Sequence, residues 1–297
     1  MSKILPKIIV ILGPTATGKT ALSVKLARKF SGEIISADSR QVYQGMDIGS
    51  GKITKKEMKG ISHHLLSIAN PKRRFSVAEY KKLAQKAIQT ITKNNKIPFL
   101  VGGTGFYISS LVDDIQIPKV KPNWSLRSGL EKKTTKELFL LLKKKDKQRA
   151  KSIDKNNRRR LIRALEIVMT TKQPIPPLKS KSQYDLLIIG IKKPDSELKK
   201  VIEKRIKQRL KKGMIAEVKN LRKSRISWKR LEEFGLEYKC IAQYLQNKIS
   251  YQEMIDGIQK ESEQYAKRQM TWFKKDKRVY WIKNQEQTEK LIGDFLK

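Results

Sequence analysis

Short unbroken apolar runs punctuate this chain, alternating with segments whose apolar residues recur every three or four positions. The runs are Ile8-Ile-Val-Ile-Leu12, Glu33-Ile-Ile-Ser-Ala-Asp38, Ile97-Pro-Phe-Leu-Val101, Tyr184-Asp-Leu-Leu-Ile-Ile-Gly190 and a shorter Val279-Tyr-Trp-Ile282. Runs of this kind predict strands buried on both faces. Between them, helical periodicity covers Ala21 to Phe30 and a segment from an N-cap Ser76 to about Lys93. It returns over Glu197–Lys211, Glu217–Lys223, Tyr238–Gln246 and Gln252–Lys275. Strand and helix in alternation predict an α/β fold around a parallel sheet, with the last short strand at its edge.

The pattern changes between residues 118 and 181. Prolines bracket this segment (Pro118, Pro122, Pro174, Pro176, Pro177), and it holds 20 Lys or Arg against 5 Asp or Glu. Its interior predicts helices over Leu126–Lys132, Thr135–Lys145 and Asn157–Thr170. The expected organisation is a small all-helical domain, 118–181, inserted into an α/β core made of 1–117 and 182–297. Arg158, Arg159, Arg160 and Arg163 fall on successive turns of one helix. A solvated charged face accounts for them, but contact with a phosphate backbone is favoured by their density.

The first strand runs straight into Gly13-Pro14-Thr15-Ala16-Thr17-Gly18-Lys19-Thr20, and a helix follows. Strand, glycine loop and helix in that order make a phosphate-binding P-loop. The loop's N–H groups and the helix N-terminus would surround an anion, with Lys19 adding charge and the Thr20 hydroxyl serving as Mg²⁺ ligand. Ligands of open α/β sheets lie beyond the carboxyl ends of the strands, which puts Asp38 close to that anion. Binding Mg²⁺ through water, acting as a base and capping a helix are all open to it. His63 and His64 are the only histidines. Adjacent histidines make a poor metal site, and positioning of a substrate loop or a structural hydrogen bond is expected for His63. The third strand ends in Gly102-Gly103-Thr104-Gly105-Phe106-Tyr107, where ATPases and GTPases carry a Mg²⁺-binding aspartate. ATP hydrolysis is therefore disfavoured.

Charge widens the picture. With 67 Lys and Arg against 28 Asp and Glu, the formal net charge is +39, more than solubility needs, and a nucleic-acid partner is favoured. One cysteine, Cys240, suits a reducing cytoplasm. The chain enters a strand too early for a signal peptide, and no apolar run is long enough to cross a membrane.

Together these motifs resemble the tRNA dimethylallyltransferase family. The likeness rests on the P-loop, on Ile-Ile-Ser-Ala-Asp38-Ser39-Arg40-Gln41-Val-Tyr with Gly45-Met-Asp-Ile-Gly49, and on His63-His-Leu-Leu. It continues through Val101-Gly-Gly-Thr-Gly-Phe-Tyr, Arg158-Arg-Arg-Leu-Ile-Arg-Ala-Leu-Glu166 and Ala266-Lys-Arg-Gln-Met-Thr-Trp-Phe273. It spans nearly the whole chain and implies a P-loop NTPase-like core that transfers a dimethylallyl group from its diphosphate to N6 of an adenine beside the tRNA anticodon. The resemblance implies Asp38 as the base and Thr104 beside the bridging oxygen of the diphosphate. It assigns Arg209 to the leaving group, with Arg205 as the substitute because the segment between Arg209 and Glu217 looks about one turn short. It assigns Ser39, Arg40, Gln41, Arg127, Arg159, Arg160, Leu161, Ile162 and Arg163 to tRNA. The family pattern differs at Gly49-Ser-Gly-Lys-Ile53 and Gly235-Leu-Glu-Tyr-Lys239. A bacterial-type monomer without a zinc finger is expected. The alternatives are adenylate isopentenyltransferase, a small-molecule P-loop kinase and a non-catalytic RNA-binding protein.

Overall fold

The computed structural model describes residues 5–176, 181–282 and 284–297, so Pro177 of the proline bracket lies outside the described residues. Six strands, β1 (Lys7–Leu12), β2 (Gly32–Ala37), β3 (His63–His64), β4 (Ile97–Gly102), β5 (Asp185–Ile191) and β6 (Val279–Ile282), form one sheet. Its order is β3-β2-β4-β1-β5-β6, and every pairing is parallel. The chain divides into two compact units, Met1–Val112 with Ser182–Lys297, and Asp113–Lys181. The second unit thus starts before the expected boundary at Pro118.

Alternation along β1 explains why the sheet is covered on both sides. Ile8, Val10 and Leu12 enter one core cluster, and Ile9 and Ile11 the other. Helices α1 (Lys19–Lys29), α2 (Lys55–Met58), α3 (Val77–Lys93) and α4 (Gly105–Val112) connect the first strands. The Ser76 cap is part of a full capping box with Glu79. After β5 come α9 (Asp195–Lys211), α10 (Met214–Lys223), α11 (Trp228–Phe234), α12 (Leu236–Leu245), α13 (Tyr251–Phe273) and, past β6, α14 (Gln285–Leu296), the numbers between belonging to the second unit. Because all strands run the same way, the loops leaving β1, β2 and β4 emerge at one edge. β4 lies between β1 and β2, so its Gly102-Gly103-Thr104 turn separates the P-loop from Asp38.

The second unit holds α5 (Trp124–Glu131), α6 (Thr135–Lys145), α7 (Lys147–Ser152) and α8 (Arg158–Thr171) around Leu130, Leu138, Leu142, Leu161 and Leu165. Helix α7 was not expected. It is too short for a periodic signal, and it exists because buried Asp146 caps it through Arg149 N–H at 2.8 Å while its other oxygen accepts from Ile175 N–H at 2.8 Å. At the centre, fully buried Glu166 accepts hydrogen bonds from Arg127 Nε and Nη2, Arg163 Nη1 and Asn123 N–H.

Burial pushes the Glu166 carboxyl up, but the hydrogen bonds from Arg127, Arg163 and Asn123 outweigh it and hold it at about 2. A folded value below the unfolded 4.5 means this clamp stabilises fully above about pH 4.5 and is lost as pH falls toward 2. Glu166→Gln should leave two cations facing a neutral amide and cost the unit about 3–5 kcal/mol. Hydrogen exchange of α6 and α8 amides in the full chain would then speed up at neutral pH; unchanged protection would show that the clamp does not hold the unit.

Candidate functional site

The P-loop turns on Gly13, whose φ of +152° and lack of Cβ are both needed, since a Cβ there would sit 2.3 Å from the Ile191 carbonyl oxygen. Thr17 Oγ1 donates to Pro14 O at 2.9 Å, closing the turn. Lys19 Nζ donates to the same carbonyl at 2.6 Å. Gln269 on α13 joins two loops: its Oε1 accepts from Thr15 N–H at 2.9 Å, and its Nε2 donates to Gly103 O at 2.8 Å. The Thr20 hydroxyl is exposed in the first turn of α1 and has no protein partner. It fits a Mg²⁺ held mainly by phosphate oxygens. Among the described residues, no cluster of three or more His, Cys, Asp or Glu makes a metal site of its own.

Asp38 follows β2 at the same edge. Its Oδ1 accepts from Arg40 N–H at 2.8 Å and Gln41 N–H at 3.2 Å, leaving Oδ2 without a partner. This is a cap of its own turn, but one that orients the carboxylate and spares one oxygen. Thr104 comes alongside: its Oγ1 accepts from Ser39 N–H at 3.0 Å. Arg40 is anchored through Nε to Phe234 O at 2.5 Å, and its Nη1 reaches Ser39 O at 3.2 Å. The Gln41 amide makes only long contacts, donating to Ser50 O and Gly51 O and accepting from Ser36 Oγ, each at 3.4 Å.

The two candidate arginines of α9 separate clearly. Arg209 is engaged, donating to Gly49 O at 2.9 Å and pairing with Glu237 at 2.8 Å. Arg205, one turn earlier, makes no hydrogen bond or ion pair with a described residue. Both guanidiniums lie over Gly51, where a Cβ would be 1.9 Å from Arg209 Nη2 and 3.0 Å from Arg205 Nη2. Burial, then the neighbouring Arg209 charge, lower Arg205 to about 10 despite Glu237 and Asp38. Burial and then Arg205 lower Lys19 to about 7, against the pull of Asp38. Burial raises Glu237 above the usual carboxylate range, with Arg209 opposing it. Positive charge is concentrated here, with Lys19, Arg205 and Asp38 within electrostatic reach of one another, which favours binding of an anion.

Sequence reasoning did not reach Glu217. Its carboxylate accepts N–H groups from Asp47 (2.8 Å), Ile48 (2.6 Å) and Gly49 (3.0 Å), and the Tyr238 hydroxyl donates to it at 2.8 Å. Glu217 thereby fixes the loop whose Gly49 carbonyl orients Arg209. The two glycines of Gly45–Gly49 were the available signal, since glycine loops expose consecutive N–H groups that need an acceptor. His63 has a structural hydrogen bond, Nδ1 to Ile61 O at 2.8 Å, and burial lowers its pKa; His64 Nε2 pairs with Glu33 at 2.7 Å. Neither meets Asp38. In the second unit, Arg127 and Arg163 are spent on Glu166, and Arg158 caps α5 through the Glu131 and Lys133 carbonyls. The Leu161 and Ile162 side chains are core. Arg159 and Arg160 are exposed. A cavity of about 500 Å³ opens beside Pro14, with Leu198, Ile202 and Met270 apolar and Lys192, Lys199 and Lys267 basic.

Between about pH 7 and 10.5 the unfolded chain carries a proton at Lys19 that the folded one lacks, so the unliganded fold gains stability as pH rises through that window. An anion in the P-loop restores that charge. Binding of inorganic diphosphate near pH 8 should therefore take up a proton at Lys19, and its affinity should fall by up to about tenfold per pH unit above neutrality. Calorimetry in buffers of different ionisation enthalpy measures the uptake, and Lys19→Met should remove it. Equal uptake by both proteins would show that Lys19 stays charged in the empty loop.

Comparison with known proteins now bears on this arrangement. The model of the IPP transferase family matches residues 41–276. The tRNA dimethylallyltransferase of Alkaliphilus oremlandii is 38% identical, over 98% of this chain and 96% of its own length. The full-length tRNA isopentenylpyrophosphate transferase of Bacillus halodurans superposes with a TM-score of 0.73 at 37% identity, over 98% of this chain and 95% of that one. A eukaryotic dimethylallyltransferase acting on tRNA gives a TM-score of 0.75 at 27% identity, over 93% of this chain and 73% of that one. Sheet order, P-loop and the Ser39–Thr104 hydrogen bond thus occur in a chain that belongs to the IPP transferase family, the tRNA dimethylallyltransferases.

Proposed function

We propose that this chain transfers the dimethylallyl group of dimethylallyl diphosphate to N6 of the adenosine beside the anticodon of tRNA, releasing diphosphate. The observation that carries the reading is Asp38, whose Oδ1 is held by its own turn while Oδ2 meets no described residue, and whose charge is felt by Lys19 and Arg205. The N6 lone pair forms the new N–C bond as the bond from C1 to the diphosphate oxygen breaks, and the N6 proton passes to Asp38 Oδ2. An exocyclic amine is a weak nucleophile, so loss of that proton must accompany attack. The base must first leave its stack to reach the sheet edge. The P-loop N–H groups, Lys19 and Arg205 stabilise charge growing on the diphosphate, and the Thr104 hydroxyl is assigned to its bridging oxygen. Thr20 would hold Mg²⁺ with the phosphate oxygens, and that ion supplies further charge neutralisation. Ser39, Arg40 and Gln41 read the extruded base and its surroundings.

In the second unit, Arg159 and Arg160 are assigned to tRNA phosphates, and Arg127 and Arg163 support them through Glu166. All these groups come from one chain, consistent with a monomer. A cytoplasmic location belongs to the same reading, supported by its nucleic-acid substrate. The basic charge and the absence of an aspartate at the β4 end favour this reading over a small-molecule kinase.

Labelled dimethylallyl diphosphate and unmodified tRNA, with Mg²⁺ and without ATP, should yield N6-prenylated adenosine. Product on free AMP alone would move the assignment to adenylate isopentenyltransferase. Asp38→Asn should lower kcat by about 10²–10⁴ while tRNA affinity changes far less. A loss confined to tRNA affinity would remove the proton-transfer role. The α9 arginines should also part. Arg205→Gln should lower kcat/KM for the prenyl diphosphate by about 10²-fold or more with no loss of melting temperature. Arg209→Gln should lower melting temperature as well, because it strands buried Glu237 and the Gly49 carbonyl. The reverse pattern would return Arg209 to the diphosphate.

A further inference from the structure

Gly51 and Glu237 meet at Arg209. Gly51 has a φ of +61°, and a Cβ there would lie 1.9 Å from Arg209 Nη2, so the chain clears this guanidinium only as glycine. The same Cβ would be 3.0 Å from Arg205 Nη2, which sets the two guanidinium ends side by side under the loop. The two arginines stand at i and i+4 on one face of α9. Glu237, in the first turn of α12, accepts from Arg209 Nη1 at 2.8 Å, and the Gly49 carbonyl accepts from the same nitrogen at 2.9 Å. The pair is well covered, with the arginine and glutamate side chains 14% and 11% exposed. Tyr238, next to Glu237, steadies the loop from the same turn, its hydroxyl accepting from Ser50 N–H at 3.1 Å. Arg205 has no such holders among the described residues, and its charge reaches Lys19 of the P-loop.

A carboxylate this close to an anion site opposes the anion unless a cation matches its charge. Glu237 is matched by Arg209, and a charge-assisted pair shielded from water is not given up without a replacement for each partner. The cost to the site is one arginine, and the neighbour one turn earlier is left to face the P-loop. Residues 49–53 and 235–239, where the chain differs from its family's pattern, are the two segments that hold Arg209 in this way. We infer that Gly51 and Glu237 are positioning residues that keep Arg209 off the leaving diphosphate and assign that anion to Arg205. The inference rests on the prenyl-transfer reading above and adds to it the pair that selects between the two arginines. A merely structural role, satisfying a buried arginine, predicts that breaking the pair lowers stability and improves the binding of nothing.

Releasing Arg209 separates the two. Affinity for inorganic diphosphate with Mg²⁺ would be measured by calorimetry on the full chain, on Arg205→Gln, and on Arg205→Gln combined with Glu237→Gln or with Gly51→Ala. Glu237→Gln removes the charge that holds Arg209, and Gly51→Ala displaces its Nη2, so either variant reports if the other fails to fold. Arg205→Gln alone should weaken diphosphate about tenfold or more, and each second substitution should restore most of that loss by freeing one charged donor. Adding Arg209→Gln to either double variant should abolish the rescue. In prenyl transfer, the double variants should recover KM for the donor while KM for tRNA stays as in Arg205→Gln. No rescue in a folded double variant, or a rescue that survives Arg209→Gln, overturns the inference. Failure of the prenyl-transfer reading shows itself separately, as a wild-type protein that binds diphosphate but yields no N6-prenylated adenosine.

Discussion

Repulsion among Lys19, Arg205 and Arg209 is what the surrounding structure has to manage. Three cations crowd one sheet edge, and the ring of partners around them is arranged to tame only part of their charge. Glu237 and the Gly49 carbonyl take Arg209. The Pro14 carbonyl takes Lys19. Nothing in the described chain takes Arg205. The parallel sheet permits this by bringing the β1, β2 and β4 loops out together, and Glu217 maintains it by tying down the 47–49 loop from a different helix. A site with that residual charge is suited to an anion.

The two units solve the problem of arginine in different ways. In the 113–181 unit, a buried glutamate collects Arg127 and Arg163, so these side chains order the fold and leave the outward contacts to their neighbours. A run of arginines in a sequence therefore mixes struts and hands. Only the position of a buried acceptor distinguishes them, and Glu166 gives no local sign of being one.

Much of the core was legible because its signals are local. The apolar runs set five of the strands, the glycine spacing set the P-loop, and the Ser76 box set the start of α3. What escaped depends on distant partners. The two-residue strand at His63–His64 exists because β2 offers it an edge, and α7 exists because Asp146 caps it. The choice between Arg205 and Arg209 depends on which of them Glu237 reaches from α12, across 28 residues of chain. Spacing along α9 favours neither.

Gln269 gives the site its gauge. One side-chain amide accepts a hydrogen bond from the P-loop and donates one to the loop that carries Thr104, so the spacing between those two loops is set by a single rigid plane. A carboxylate of equal length could accept twice but donate nothing, and asparagine would fall one methylene short. The two loops are therefore kept in step by one group, and a slackened amide would let each hold its own shape while losing its register with the other.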